Sequence, residues 1–300
     1  MGNGLIFLLE SKLVENIMNI RIWQKGDIRA PHKPLLLLYA LGRVSRDEPR
    51  LVSYPEARED LRKLLVEFGP SRKVYSPNYP FIRLCNDGDF WEIKGRQALD
   101  TTMNWSDRDL IGNHTFGGFS EETHRLLKND KRLLKEIARL ILDQYFDDTL
   151  QEDILAQVGL DLEESKLLRN PDFRERILRA YEYRCAVCGF NVRLGETLVA
   201  VEAAHIKWHC YGGPDNEENG IALCSLHHKL FDRGAFTLDR SFTLHVAESA
   251  HGTSGFDEWL MRYHDRPIQR PQSPDYYPND GYINWHAREV FRGPSRYTIG

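Results

Sequence analysis

Apolar residues in the first half of the chain recur mostly at helical spacing. Pro34 followed by the leucine-rich run 35–41 predicts a helix that opens on proline, where the missing N–H costs nothing. The run is apolar on nearly every side, so this helix is expected to be buried. Gly42 is expected to weaken or end it. Residues 55–68 place Leu61, Leu64, Leu65 and Phe68 on one amphipathic face. Residues 79–93 read as two short strands around Asn86-Asp87-Gly88, a hairpin-type turn. Residues 113–119 read as a glycine-containing loop. Residues 120–146 give the longest helical stretch, opened by Ser120, Glu121 and Glu122, with Leu126, Leu127, Leu133, Leu134, Ile137, Ile141 and Leu142 as its apolar face. Residues 147–170 are acidic, lack aromatics and suit an interdomain connection. Residues 173–183 predict a further helix, and the last 45 residues, rich in Pro, Tyr and Trp, are expected to wrap a surface. The pattern predicts an α+β protein with a mixed helix and strand domain at 1–150, a linker at 151–168 and a second domain at 169–300.

Composition supports two ordinary folded domains. The 300 residues are 41% hydrophobic and 28% charged, which excludes a disordered or fibrous chain. The net charge is −4, which excludes only a uniformly basic protein. The charge is unevenly placed. Residues 1–150 hold 23 Lys and Arg against 22 Asp and Glu, and residues 151–300 hold 17 against 22. Within 21–43, Arg21, Lys25, Arg29, Lys33 and Arg43 stand against Asp27 alone. No apolar run approaches the roughly 18 residues of a membrane span, so no membrane partner is expected. The N-terminus has no basic region before its apolar run, and Ile6 stands where a myristoylation site wants Ser or Thr. The expected location is cytoplasmic.

The five cysteines are an odd number, which argues against a disulfide framework. Four of them lie between 185 and 224. Cys185 and Cys188 are separated by two residues, as are Cys224 and His227. Two such knuckles supply a tetrahedral Cys3His set for structural Zn²⁺. Cys210, beside His209, lacks a matching partner and is left over with Cys85.

Between the knuckles run Glu202-Ala203-Ala204-His205-Ile206, then Asn219-Gly220-Ile221-Ala222-Leu223, then His227-His228. His205 precedes Asn219 by 14 residues, and Asn219 precedes His228 by 9. With the flanking knuckles, the Gly212-Gly213-Pro214-Asp215 turn and the Leu230-Phe231-Asp232 tail, this segment resembles the HNH nucleases. The resemblance implies a ββα-metal fold, a hairpin followed by a helix. It implies His205 as general base, His228 as ligand of a catalytic Mg²⁺ or Mn²⁺, and Asn219 as the residue that holds the loop or orients the base. His227 and His228 are adjacent, so on a helix they point about 100° apart, one to zinc and one to the active site. Many relatives use an Asp just before the base on the metal. Here that position is Ala204, and Glu202, on the same strand face, is the candidate substitute.

Two segments of the first half mix cations with rings and prolines: Arg29-Ala30-Pro31-His32-Lys33-Pro34 and Tyr79-Pro80-Phe81-Ile82-Arg83. A helix-starting loop and a strand entry are the plainer reading of each. Together with the HNH segment they resemble the sulfur-binding domain of phosphorothioate-dependent restriction endonucleases. The resemblance implies recognition of double-stranded DNA in which sulfur replaces a non-bridging phosphate oxygen. Sulfur is larger and less well hydrated than oxygen, so an apolar cavity favours it. Pro80, the Tyr79 ring and the stem of His32 or Lys33 are candidate walls, and Pro31 is a further candidate in the DNA- and sulfur-binding set. Arg29, Lys33, Lys73 and Arg83 are candidate contacts to phosphates and a base edge. Cutting both strands needs two active sites, so a homodimer is expected. An HNH endonuclease that reads methylated or unmodified DNA, and a non-catalytic zinc-stabilised DNA-binding protein, are the alternatives.

Overall fold

The computed structural model describes residues 2–25, 28–70, 72–162 and 171–296, with the side chains of 2–8, 25, 28 and 171 left aside. The chain divides into two compact units, Met1–Glu163 and Glu164–Gly300. Among the described residues, no helix is long and apolar enough to cross a membrane.

The first unit opens with α1 (Gly2–Met18) and a two-strand ribbon, β1 (Gln24–Lys25) and β2 (Ile28–Arg29). Then come α2 (His32–Ser45), β3 (Val52–Ser53), α3 (Tyr54–Phe68), α4 (Asn78–Arg83), β4 (Trp91–Lys94), α5 (Asp107–Gly112) and β5 (Phe116–Phe119). It closes with α6 (Glu121–Asn129), α7 (Lys131–Tyr145) and α8 (Asp148–Val158). Helix α2 is the hub. Leu35, Leu36, Leu37, Leu38 and Leu41 are fully buried, and the helix packs on α3, α4, α6, α7 and α8. Each such leucine contributes roughly 1.5–3 kcal/mol. Gly42 does not end α2, which runs on to Ser45. It lets the helix approach α8, since a Cβ there would lie 2.0 Å from the Val158 carbonyl oxygen.

Four expectations fail in this unit. Residues 79–93 are not a hairpin: Tyr79 and Pro80 lie in α4, a short 3-10 turn follows at Leu84–Asn86, and only 91–94 form a strand. Phe81 and Ile82 are both buried, as neighbours on a packed helix can be but neighbours on a one-sided strand cannot. Strand β4 pairs instead with β5, in register Trp91↔Phe119. The glycine loop is therefore part of β5, where a Cβ on Gly118 would lie 2.2 Å from the Arg50 carbonyl oxygen. The long helix at 120–146 is two helices. Asp130 leaves helical geometry, and its carboxylate accepts from Leu133 N at 2.9 Å to cap α7. Nor are residues 151–158 a free connection. They belong to α8, whose Leu150, Ile154 and Val158 are buried on α2, α3 and α7. Gly159 caps α8 and Leu160 is buried, while residues 163–168 of the expected linker lie outside the described residues, as does Asp27 of the basic segment.

The second unit starts with α9 (Pro171–Ala180), as expected, and a small ribbon, β6 (Arg193–Leu194) and β7 (Thr197–Leu198). Then β8 (Val201–His205) and β9 (Gly220–Cys224) pair antiparallel with His205 opposite Gly220, and α10 (Ser225–Asp232) follows directly. This is the ββα unit. A three-strand sheet of β10 (Phe236–Leu238), β11 (Thr243–Val246) and β12 (Arg266–Pro267) lies beyond it, with α11 (Phe256–Trp259) between its last two strands in sequence. The C-terminal region does more than wrap a surface. Helix α12 (Asp280–Glu289) packs on β10 and buries Ile283, Trp285 and His286. His286 stacks on Phe231 of α10 at 3.7 Å and bonds to Thr237 Oγ1 and the Phe231 carbonyl. Burial pushes its imidazole pKa down to about 3, so it is a neutral core residue.

Candidate functional site

Cys185, Cys188, Cys224 and His227 bring their ligand atoms together within 4.8 Å. Cys188 Sγ lies 3.9 Å from Cys224 Sγ, and Cys185 Sγ lies 3.7 Å from His227 Nδ1. A tetrahedron with Zn–S bonds of about 2.3 Å has S···S edges of roughly 3.8 Å, so the donors fit zinc. His227 Nε2 faces the Trp259 carbonyl at 2.9 Å, which assigns the ring proton to that nitrogen and leaves Nδ1 as ligand. The thiols are already polarised against one another. Hydrogen bonds from Cys185 and Cys188 drive Cys224 toward thiolate, while the same contacts and burial push the Cys185 thiol up. Cys210 lies apart, in the 3-10 turn His209–Tyr211. Cys85 is also separate, and burial pushes its thiol pKa to about 11.

His228, one position on, points elsewhere. Its Nδ1 lies 2.6 Å from Glu202 Oε2 and its Nε2 lies 3.1 Å from Asp232 Oδ2. Glu202 is anchored by Ser225 Oγ, which donates to Oε1 at 2.6 Å. Asp232 is anchored by Trp208 Nε1, which donates to Oδ1 at 3.0 Å. The two carboxylates lie on opposite edges of the imidazole: with the ring proton on Nε2 facing Asp232, Nδ1 and the Glu202 carboxylate are the pair of donors that a divalent ion such as Mg²⁺ or Mn²⁺ could share. Sequence reasoning singled out Glu202 and His228 but missed Asp232. Its position one helical turn after His228 was the available signal.

His205 ends β8, buried, with its ring stacked on Phe173 of α9 at 4.1 Å. Its Nε2 lies 2.8 Å from Asp215 Oδ1, a partner the sequence reading treated only as part of a turn. Asn219 is buried and fully engaged. Its Nδ2 donates to the Lys207 and Pro214 carbonyls at 2.9 and 3.0 Å, and its Oδ1 accepts from Lys207 N at 2.8 Å. Asn219 thus closes the loop between β8 and β9. Gly213 is fitted to the same knot, since a Cβ there would lie 1.8 Å from the Lys207 carbonyl oxygen.

A third group, His245, His264 and Asp265, gathers on the β10–β12 sheet. Val246 N donates to His264 Nδ1 at 3.1 Å, so the ring proton resides on Nε2. That nitrogen has no lone pair for a metal, and His245 is instead engaged by the Asp239 and Asp265 carboxylates at 3.1 Å each.

In the first unit, Pro31 is buried at the start of α2, followed by His32 and Lys33 in its first turn. Burial and, next, the Arg72 guanidinium push His32 down to about 4, so it is neutral near pH 7. Its Nδ1 is buried with no hydrogen-bond partner among the described residues. Lys33 is not a free phosphate contact. Its ammonium pairs with the buried Asp87 carboxylate and donates to the Arg21 carbonyl at 2.8 Å. Arg21 Nε joins the same carboxylate at 3.1 Å while its side chain stays 71% exposed. Tyr79 projects from α4, 47% exposed, whereas Pro80 is buried. Arg83 donates to Asn104 Oδ1 at 2.8 Å. Lys73 is exposed and Arg29 half-buried. Sequence reasoning missed Asp87 and Asn104 as partners of these cations, and Arg72 as the charge beside His32.

The second unit's β-hairpin, helix and Cys3His group define an HNH endonuclease module, and residues 185–239 match the family model described as HNH endonuclease. Residues 10–163, just over half of the chain, match the model "ScoMcrA-like, DNA sulfur-binding domain". The chain belongs to that family. Solved structures are similar to the chain at low identity. The sulfur-binding domain of SprMcrA complexed with phosphorothioated DNA is 22% identical with a TM-score of 0.44, covering 50% of this chain and 94% of that one. The corresponding ScoMcrA domain complex is 22% identical with a TM-score of 0.43, covering 49% and 94%. The Type IV phosphorothioation-dependent restriction endonuclease ScoMcrA is 21% identical with a TM-score of 0.41, covering 53% and 37%. No curated protein matches the chain.

Proposed function

We propose that this protein is a modification-dependent DNA endonuclease. The first unit binds double-stranded DNA at a phosphorothioate, and the second hydrolyses phosphodiester bonds nearby. The observation that carries the reading is the presence, in one chain, of the sulfur-binding domain over 10–163 and an HNH module in which Glu202 meets His228 and Asp215 meets His205.

At the reading site, the neutral His32, Pro31 and the exposed Tyr79 ring favour a soft, weakly hydrated sulfur over oxygen. Arg21, Arg29, Lys73 and Arg83 supply charge for the flanking phosphates, and Lys33, held by Asp87, adds to the local field.

At the cutting site, His205 accepts the proton of the attacking water. Glu202 and His228 Nδ1 would hold Mg²⁺ or Mn²⁺, with Asp232 fixing the His228 ring through Nε2, and the ion would neutralise the phosphate and the leaving oxygen. Zn²⁺ held by the Cys3His group would fix the start of α10 and hence the direction of His228. Two copies of the chain acting together would cut both strands.

Cleavage of matched duplexes with and without a single phosphorothioate tests this function. Cutting of the modified duplex alone is expected. Equal cutting of both would replace the reading with an endonuclease directed to unmodified DNA.

A further inference from the structure

We propose that α9, which precedes the HNH segment, positions the general base: Phe173 clamps the His205 ring, and Arg176 holds the loop that brings Asp215 to its Nε2. The inference rests on the reading of His205 as the base.

Phe173 and Arg176 are three residues apart and share a face of α9. The Phe173 ring stacks on the His205 imidazole at 4.1 Å with only 11° between planes. Arg176 Nη2 donates to the Asp215 carbonyl at 2.6 Å, and its Nε pairs with Glu217 at 3.2 Å. Next along the helix, Ile177 presses on Gly220, the register partner of His205, where a Cβ would lie 2.0 Å from Ile177 Cδ1. Ring plane, ring partner and strand backbone are therefore all set by one helix outside residues 185–239 of the HNH match.

The chemistry follows from the tautomer. A neutral imidazole has one N–H. With that proton on Nε2, donated to Asp215, the basic lone pair is on Nδ1. When Nδ1 takes a proton from water, the imidazolium that forms faces the Asp215 carboxylate, which stabilises it. The other titratable ring facing His205 is that of His209, at a centroid distance of 6.0 Å. Asp215, at hydrogen-bond distance, is the dominant charge. It is a positioning residue, acting through His205 rather than on the DNA.

The test measures single-turnover cleavage of a phosphorothioated duplex by the full chain, at saturating Mn²⁺, from about pH 5.5 to 9. Zinc content and DNA affinity are measured alongside. In Asp215→Asn the plateau rate is expected to fall about 10- to 100-fold. The acid limb of the profile should move to lower pH, because an imidazole without its carboxylate loses its proton more readily. Zinc content and affinity should stay at the wild-type level. A structural role alone would lower the plateau without moving the limb, and that result overturns the proposal, as does a wild-type profile. If Asp215→Asn fails to fold, Phe173→Leu decides: reduced rate with retained zinc supports the clamp, and a wild-type rate overturns it. His205→Ala separates the two levels. If it still cuts, the assignment of the base fails; if it is inactive while Asp215→Asn behaves as wild type, only the positioning role fails.

Discussion

Glu202 on β8 reaches across to α10 and places Oε2 2.6 Å from Nδ1 of His228. Under the proposed function, this contact would supply the carboxylate that Ala204 cannot. Alanine there cannot bind a metal, but two residues back along a strand returns to the same face, and a glutamate is long enough to reach the helix. Glu202→Gln should keep the fold and the zinc while weakening Mn²⁺ binding by about 10- to 100-fold, measured by calorimetry or electron paramagnetic resonance. Unchanged Mn²⁺ affinity would remove Glu202 from the metal site.

The zinc group is expected to be structural. Cys188→Ser, or a strong chelator, should release one zinc per chain and melt the second unit, because apparent zinc-binding energies of roughly 10 kcal/mol are coupled to folding. Thermal unfolding monitored with zinc release checks this. A second unit that melts normally without zinc would contradict it.

These two sites differ in how much of them the sequence reveals. The Cys3His residues are pairs three residues apart, so local spacing alone exposes them. The ββα hairpin is likewise legible, because its strands and helix are consecutive in the chain. Asp215 and Asp87 were hidden, since no local pattern links either to the residue it meets: Asp215 meets His205 and Asp87 meets Lys33. The segment around Tyr79 was misread because Pro80 and the following Asn86-Asp87-Gly88 mimic a strand and turn. In the fold Pro80 occupies the first turn of α4, where proline is tolerated, and Asp87 points inward to the two cations.

Asp87 should matter more for stability than its place in a turn suggests. Its side chain is 1% exposed and bonded to Lys33 and Arg21. Asp87→Ala leaves Lys33 buried without its counter-charge and should cost about 3 kcal/mol, measured by urea unfolding. Phosphorothioate binding should weaken in parallel. A variant of wild-type stability would show that the pair is dispensable.

His32 makes stability depend on pH. The folded imidazole binds a proton only near pH 4, whereas the unfolded one does so near the ordinary 6.5. The unfolded chain therefore holds more protons between those values. The contribution is full above pH 6.5 and is lost as pH falls through 4. Allowing for the partial exposure of the ring, it is on the order of 2 kcal/mol. His32→Gln should flatten the stability curve in that window. Proton NMR of the ring should show no titration between pH 6 and 8, about two units above the folded value.

The central claim is that one unit reads sulfur and the other cuts. It is tested most directly by the affinity of the His205→Ala protein for one duplex carrying a single phosphorothioate and for the same duplex without it. Tighter binding of the modified duplex, by at least about tenfold or 1.4 kcal/mol, with no cleavage of either, is the expected result. Equal affinities for the two duplexes would contradict the account.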